Sequence, residues 1–217
     1  MIKIKKFIKT KSNKNQIKEV FKIGKLLENY LNDAEIIKKI KDKNIRGGDS
    51  KDIQDIIMEY AVPNLGFTNE KEHLFKKYKN SRLRPDFYKK INKSGILIEV
   101  ERGKTITNNM DLLDLWKCHI CTEADHLFLV VPLRDEAKGL NIFDSTCKRM
   151  SSFFIKENYL NIESLIIFGY SGWGDGQLEG EMERDHWILS DLDFNIIFDK
   201  ESSRKWRKAY KNSFIKI

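Results

Sequence analysis

The sequence has few cysteines and no long apolar run, and each shortage narrows what the chain can be. Its three cysteines, Cys118, Cys121 and Cys147, cannot all pair within one chain. Free thiols in a reducing, cytoplasmic setting are therefore expected, rather than a disulfide framework. No stretch approaches the roughly 18 apolar residues of a membrane span. The longest run, Leu127–Pro132, has the length of a strand. The lysine-rich start lacks a continuous apolar segment and a small-residue cleavage site, which argues against a secretory leader. Repeats and low-complexity linkers are missing too. Of the four histidines, His73 and His186 have no neighbouring residues that identify an acid or a base.

What is present fits one globular domain. With 217 residues, 41% hydrophobic and 33% charged, the chain can bury a core without a disulfide or structural metal. The expected organisation is a single domain over 1–217, with a core at about 50–170. A basic N-terminal extension and a C-terminal strand–helix appendage complete it. A net charge of +8 favours polyanionic partners. Seven lysines against one acid in residues 1–20 read equally as a nucleic-acid-binding arm or as a solvated start.

Hydrophobic spacing predicts a helix from about Gln16 to Ile40, carried by Val20, Ile23, Leu27, Tyr30 and Leu31. A second helix, capped by Asp49 or Ser50, reaches Ala61. Arg82–Tyr88 and Gly95–Glu101 read as strands joined by a polar turn at Lys89–Ser94. A helix follows from Asn109 to Ile120, packed through Leu112, Leu113, Trp116 and Ile120. Then come a strand at Leu127–Val131, a helix at Ser145–Tyr159 and a strand at Ser164–Phe168. A glycine-rich loop at 169–180, a peripheral strand at 193–198 and a basic C-terminal helix containing Trp206 close the chain. This order predicts the α/β class, a mixed central sheet flanked by helices.

The chemistry gathers in Arg84-Pro85-Asp86 and Glu99-Val100-Glu101. On the second strand Ile96 and Ile98 face one side, while Leu97, Glu99 and Glu101 face the other. An apolar face that ends in carboxylates is unusual, because a buried Glu needs a partner or a metal. A hairpin can bring Asp86 beside Glu99, and two such carboxylates repel unless a cation lies between them or one is protonated. Mg²⁺ suits oxygen ligands of this kind.

These residues resemble the PD-(D/E)xK, or restriction-endonuclease-like, superfamily. Pro85-Asp86 matches the first half of its motif, and Glu99-Val100-Glu101 stands at the second half. The resemblance implies metal ligation by Asp86, Glu99 and the Val100 carbonyl, with Glu59 as a further candidate ligand. Glu101 departs from the pattern by occupying the lysine position, in the E-x-E form of some type II restriction enzymes. There it can take a proton from the attacking water. Lys104 is the candidate replacement for the missing cation. The implied cofactor is Mg²⁺, with Mn²⁺ as a substitute.

From Lys76 to Lys104 ten basic residues surround only three acids, which are the candidate site residues themselves. That isolates an acidic pocket in a positive surface, an arrangement suited to a phosphate backbone. Arg82, Arg84, Lys89, Lys90, Arg102 and Lys117 are the candidate phosphate contacts. The expected function is Mg²⁺-dependent cleavage of double-stranded DNA to 5′-phosphate and 3′-hydroxyl ends. A homodimeric, type II-like enzyme of a restriction system is the form the resemblance implies, with no membrane partner. A repair or junction nuclease, an RNA-directed nuclease and a non-catalytic DNA-binding protein are the alternatives. Cys118, His119, Cys121 and His126 also invite a zinc reading, although hydrophobic packing accounts for the cysteines more simply.

Overall fold

The computed structural model describes residues 2–9, 12, 14–44, 49–69, 74–75, 83–135, 139–155, 160–170, 183 and 208–209. The chain divides into two compact units, Met1–Gly172 and Trp173–Ile217. The strand expected at 193–198, the basic C-terminal helix other than Lys208 and Ala209, and Arg82 lie outside the described residues, as do His73, His186 and Trp206.

Six strands form one sheet in the order β1-β6-β5-β4-β3-β2. They are β1 (Lys3–Ile8), β2 (Thr68–Asn69), β3 (Phe87–Ile91), β4 (Ser94–Val100), β5 (His126–Pro132) and β6 (Ser164–Tyr170). Strands β4, β5 and β6 are parallel; β1 pairs with β6, β3 with β4 and β2 with β3, all antiparallel. Helices α1 (Lys14–Leu31), α2 (Ala34–Lys43) and α3 (Ser50–Ala61) precede the site-bearing strands. Helices α4 (Met110–Ile120) and α5 (Ile142–Ser151) cross from β4 to β5 and from β5 to β6. The architecture is α/β, a mixed sheet flanked by helices.

Each face has its own core. On one side Val20, Leu27, Ile36, Ile53 and Ile57 from α1–α3 pack on Ile96, Ile98, Phe128 and Ile166. On the other, Leu115 and Cys118 of α4, with Ile142 and Met150 of α5, pack on Leu97, Leu129 and Ile167. Two crossovers of the same hand, stepping in the same direction, necessarily lie on the same face. Every residue of β4, β5 and β6 is buried, which is why these strands read as near-continuous apolar runs. At Gly24 the backbone of α1 comes close to β6: a Cβ there would sit 2.6 Å from Ile166 Cδ1.

Several boundaries differ from expectation, each for a local reason. Within the basic N-terminus, residues 3–8 form the edge strand β1, whose lysines Lys3, Lys5 and Lys6 remain exposed. The first expected helix is two helices. Asp33 ends the run and caps α2 by accepting from the Glu35 and Ile36 N–H groups. The hairpin is tighter than the polar stretch 89–94 suggested. Ile91 pairs with Ser94, and Asn92 takes the left-handed conformation (φ 49°) that Asn tolerates best among ordinary residues. Helix α5 starts earlier and stops at Ser151, so Phe153 and Phe154 lie beyond it.

Candidate active site

The hairpin delivers the carboxylates as its alternation requires. Phe87 is level with Ile98, so one step further places Asp86 level with Glu99. Ile96, Ile98 and Val100 join the core under α1–α3, while Leu97 belongs to the core under α4 and α5. Glu99 and Glu101 share the parity of Leu97 and turn toward α4. Asp86 is held from two directions. Its Oδ2 accepts the Val100 N–H at 2.7 Å, and its Oδ1 accepts Gln54 Nε2 of α3 at 2.9 Å. Glu101 is fixed through its backbone, its N–H donating to Val130 and its carbonyl accepting the Tyr170 hydroxyl.

Helix α4 meets this row with polar groups. Asp111, Asp114 and Lys117, spaced three apart, are buried against the sheet. Leu113 and Trp116, expected to supply the packing face, are instead 39% and 53% exposed. The helix turns two acids and a lysine inward beside Leu115 and Cys118, and leaves Leu113 and Trp116 outward. Lys117 Nζ lies 2.7 Å from Glu99 Oε1 and 2.8 Å from Asp114 Oδ1. Asp111 pairs with Arg149 of α5 at 3.1 Å. Lys117, one of the expected phosphate contacts, is buried as a cation within the carboxylate cluster.

Asp86, Glu99, Glu101 and Asp114 share this space with the single ammonium of Lys117. If all were ionised, negative charge would exceed positive in a region of low dielectric, so each carboxyl holds its proton more tightly. Burial pushes Asp86 up to about 6, against the Val100 hydrogen bond and the Lys117 charge. Burial and the Asp114 charge push Glu101 up to about 8. Glu99 is raised by burial and Asp114 despite Lys117, and Asp114 is raised by burial. Burial alone would lower Lys117, but Glu99 and Asp114 outweigh it and keep the ammonium charged. Glu101 and Asp114 face one another; with both ionised, two acceptors would meet without a donor. A proton on Glu101 supplies that donor.

The other expected residues are placed differently. Glu59 is not in the cluster. It pairs with Lys39 at the surface, and five positions along α3 from Gln54 turn it away from the face that reaches Asp86. Lys104 is exposed in the turn after β4, so the cation beside the carboxylates comes from α4 instead. Arg102 donates to the carbonyls of Asp49 and Lys43, tying down the end of α2 and the start of α3. Lys89 and Lys90 alternate across the two faces of β3, the first half-buried and the second exposed. Arg84 is exposed beside the hairpin. Cys118 and Cys121 are buried in the core, and His126 is engaged by Ser164 and Gln16.

The donor set is chemically suited to a hard divalent cation, since all its ligating atoms are oxygens and negative charge is in excess. Among the described residues, however, no three His, Cys, Asp or Glu side chains already converge as a ligand set. The residues missed by sequence reasoning are Gln54 and Asp114. The signal for Asp114 was its three-residue spacing with Asp111 and Lys117.

Comparison with known proteins points elsewhere in the chain. Residues 122–217, less than half of the chain, match the family model described as AlgH-like, DUF179. Among curated proteins, a UPF0301 protein of Methylococcus capsulatus is 42% identical over 48 residues, 22% of this chain and 26% of that protein. Another, of Jannaschia sp., is 46% identical over 46 residues, 21% of this chain and 24% of that protein. The chain thus spans about a quarter of the length of the curated relatives it matches. The matching family model is not the nuclease superfamily expected from Asp86 and Glu99, and its matched segment begins beyond all five residues of the cluster. Among solved structures, the restriction endonuclease BglII, crystallised with a DNA 16-mer, aligns with 79% of this chain and 76% of its own. The TM-score is 0.47 and the identity 12%. No helix among the described residues is long and apolar enough to cross a membrane.

Proposed function

We propose that the chain is a metal-dependent nuclease that hydrolyses DNA phosphodiester bonds, with Asp86, Glu99, Glu101 and Lys117 as its working groups. The observation that carries this reading is the buried contact between Lys117 and Glu99, at 2.7 Å, within a cluster of excess carboxylates. Folding has concentrated costly charge at the carboxyl end of β4, and such sites are characteristically functional.

In the proposed reaction a water oxygen bonds to phosphorus as the P–O3′ bond breaks, leaving a 5′-phosphate and a 3′-hydroxyl. Mg²⁺, or Mn²⁺ in its place, would be held by Asp86 and Glu99 with the Val100 carbonyl, supplying positive charge against the phosphate and lowering the pKa of water. Lys117 stays charged and can donate to a non-bridging phosphate oxygen, the role left vacant by Glu101 at the motif lysine position. Glu101, once ionised, can accept the proton of the attacking water. Exposed Arg84, Lys90 and Lys104 lie on or beside the strands that carry the site and can meet the phosphate backbone. A type II-like, homodimeric restriction enzyme cutting double-stranded DNA is the specific form proposed.

The competing reading is a DNA-binding core that no longer cuts. It is favoured by Lys117 already neutralising Glu99 and by the missing three-ligand set among the described residues. Wild type and Glu99→Ala, incubated with duplex, single-stranded and branched DNA in Mg²⁺ or EDTA, separate the two. Metal-dependent cleavage by wild type alone supports the nuclease. Retention of DNA without cleavage supports the binding protein, and equal EDTA-resistant cleavage by both proteins removes the assigned site.

A further inference from the structure

We infer that Lys14, Lys18, Lys22 and Lys25, on the outer face of α1, form a second nucleic-acid-binding surface that grips the phosphate backbone of a duplex without reading its sequence. DNA as the polyanion rests on the nuclease reading. The surface itself is separate from the carboxylate cluster, because α1 covers one face of the sheet while Glu99 meets Lys117 of α4 on the other.

Charge is concentrated here. Residues 1–31 carry a net charge of +7, nine lysines against Glu19 and Glu28, in a chain whose whole balance is +8. At 3.6 residues per turn, Lys14, Lys18, Lys22 and Lys25 fall within about 80° of arc. All four are exposed, while Val20, Leu27 and Leu31 on the opposite side of the helix are buried. The two acids flank the stripe rather than interrupt it. Glu19 accepts from Asn92 Nδ2, and Glu28 pairs with Lys25 at 2.9 Å. Lys6 of β1 extends the stripe at one edge, its ammonium 4.8 Å from the centre of the Phe21 ring of α1.

The stripe is unfavourable to the helix that carries it. Lysines three and four positions apart repel one another. Lys14 stands in the first turn, where the helix dipole favours an acid and none is present. On α2 and α3, by contrast, Lys39, Lys43 and Lys51 pair with Glu59, Asp52 and Asp55. Among the described residues Lys14, Lys18 and Lys22 form no ion pair. A local rule broken without a compensating contact inside the fold is characteristic of a surface kept for a partner.

The dimensions suit a phosphate backbone. From Lys14 to Lys25 the stripe runs for about 16 Å, and each strand of a duplex presents a phosphate about every 3.4 Å of axis. An anionic membrane is the poorer occupant. A helix lying on a bilayer buries its apolar face there, and the apolar face of α1 is already packed in the core.

The test is binding of the full chain to a short fluorescent DNA duplex of arbitrary sequence, followed by anisotropy in EDTA over a range of salt. One variant combines Lys14→Gln, Lys18→Gln, Lys22→Gln and Lys25→Gln. A control removes the same charge from exposed positions of α2 and α3, with Lys38→Gln, Lys39→Gln, Lys43→Gln and Lys51→Gln. Each phosphate neutralised contributes about 0.9 to the slope of log affinity against log salt. The stripe variant is therefore expected to flatten that slope by about 3–4 and to bind about a hundredfold or more weakly near 0.1 M salt. The control is expected to stay within a few-fold of wild type, and arginine at the four stripe positions to keep binding. Gln is a good helix former and relieves repulsion, so the stripe variant should melt no lower than wild type. Equal losses in the two variants, or wild-type binding by the stripe variant, overturn the inference. So does stripe-dependent capture of phosphatidylserine vesicles with no hold on DNA. If the stripe governs DNA binding but no DNA is cut in Mg²⁺, the surface stands and the nuclease reading falls. If cleavage requires Glu99 while the stripe variant binds as wild type does, the reverse holds.

Discussion

Two ion pairs of equal length in this protein are expected to differ several-fold in worth, and replacing their lysines with Met measures the difference. Lys117–Glu99 and Lys39–Glu59 both span 2.7 Å. The first pair has side chains only 9% and 3% exposed, the second 49% and 52%. Removing one partner of a buried pair strands a charge, at a cost of roughly 3–5 kcal/mol. An exposed pair is screened by water, and its loss costs about 0–1 kcal/mol. Methionine retains the aliphatic stem, so packing changes little. Because Lys117 also contacts Asp114, the upper part of the first range applies when both acids are ionised. Those acids can instead take up protons, so the penalty of Lys117→Met shrinks as pH falls. Urea unfolding at pH 8 and pH 5.5 reads both effects. Comparable losses for the two variants at pH 8, or a Lys117→Met penalty that does not ease at pH 5.5, would refute the electrostatic account.

Further consequences are as direct. Asp86 near 6 and Glu101 near 8 are raised above their ordinary values of 3.8 and 4.5. Their contribution to stability is thus complete below those ordinary values and is lost as pH climbs through about 6 and about 8. Stability without metal should fall from pH 5 to pH 8.5, and Glu101→Gln should flatten the upper part of that fall; parallel profiles would contradict it. Gln54→Leu frees one side of Asp86 and is expected to slow Mg²⁺-dependent cleavage, whereas Glu59→Ala should cleave as wild type does. Single-turnover rates decide between them. Gly24→Ala forces a Cβ to within 2.6 Å of Ile166 Cδ1 and should cost about 1–3 kcal/mol in urea unfolding.

The parts of the fold legible in the sequence were those where burial and periodicity agree. Strand β4 shows this best: Ile96 and Ile98 go to one core and Leu97 to the other, and the carboxylates follow the same parity. Helix α4 was legible as a helix but not in its orientation. Leu112, Leu113 and Trp116 form the apolar stripe that normally faces a sheet, yet Leu113 and Trp116 are exposed while Asp114 and Lys117 are buried. A periodicity argument assumes that charge seeks water, and it fails where charges find one another instead. The same failure hid Asp114 and made Lys104 look like the missing cation. Glu59 was misplaced for a geometric reason, since α3 reaches Asp86 through Gln54 on a different face.

The inward polar stripe of α4 also settles a question of uniqueness. An amphipathic helix with apolar groups on two sides has two plausible ways to lie on a sheet. Burying Leu113 and Trp116 would be the greasier choice, but rotating the helix to do so would carry Lys117 away from Glu99 and leave that acid buried and uncompensated. The Lys117–Glu99 contact thus penalises that rotation of α4. What looks like a concession of stability to chemistry also weighs against the second packing, by the cost of stranding a buried charge.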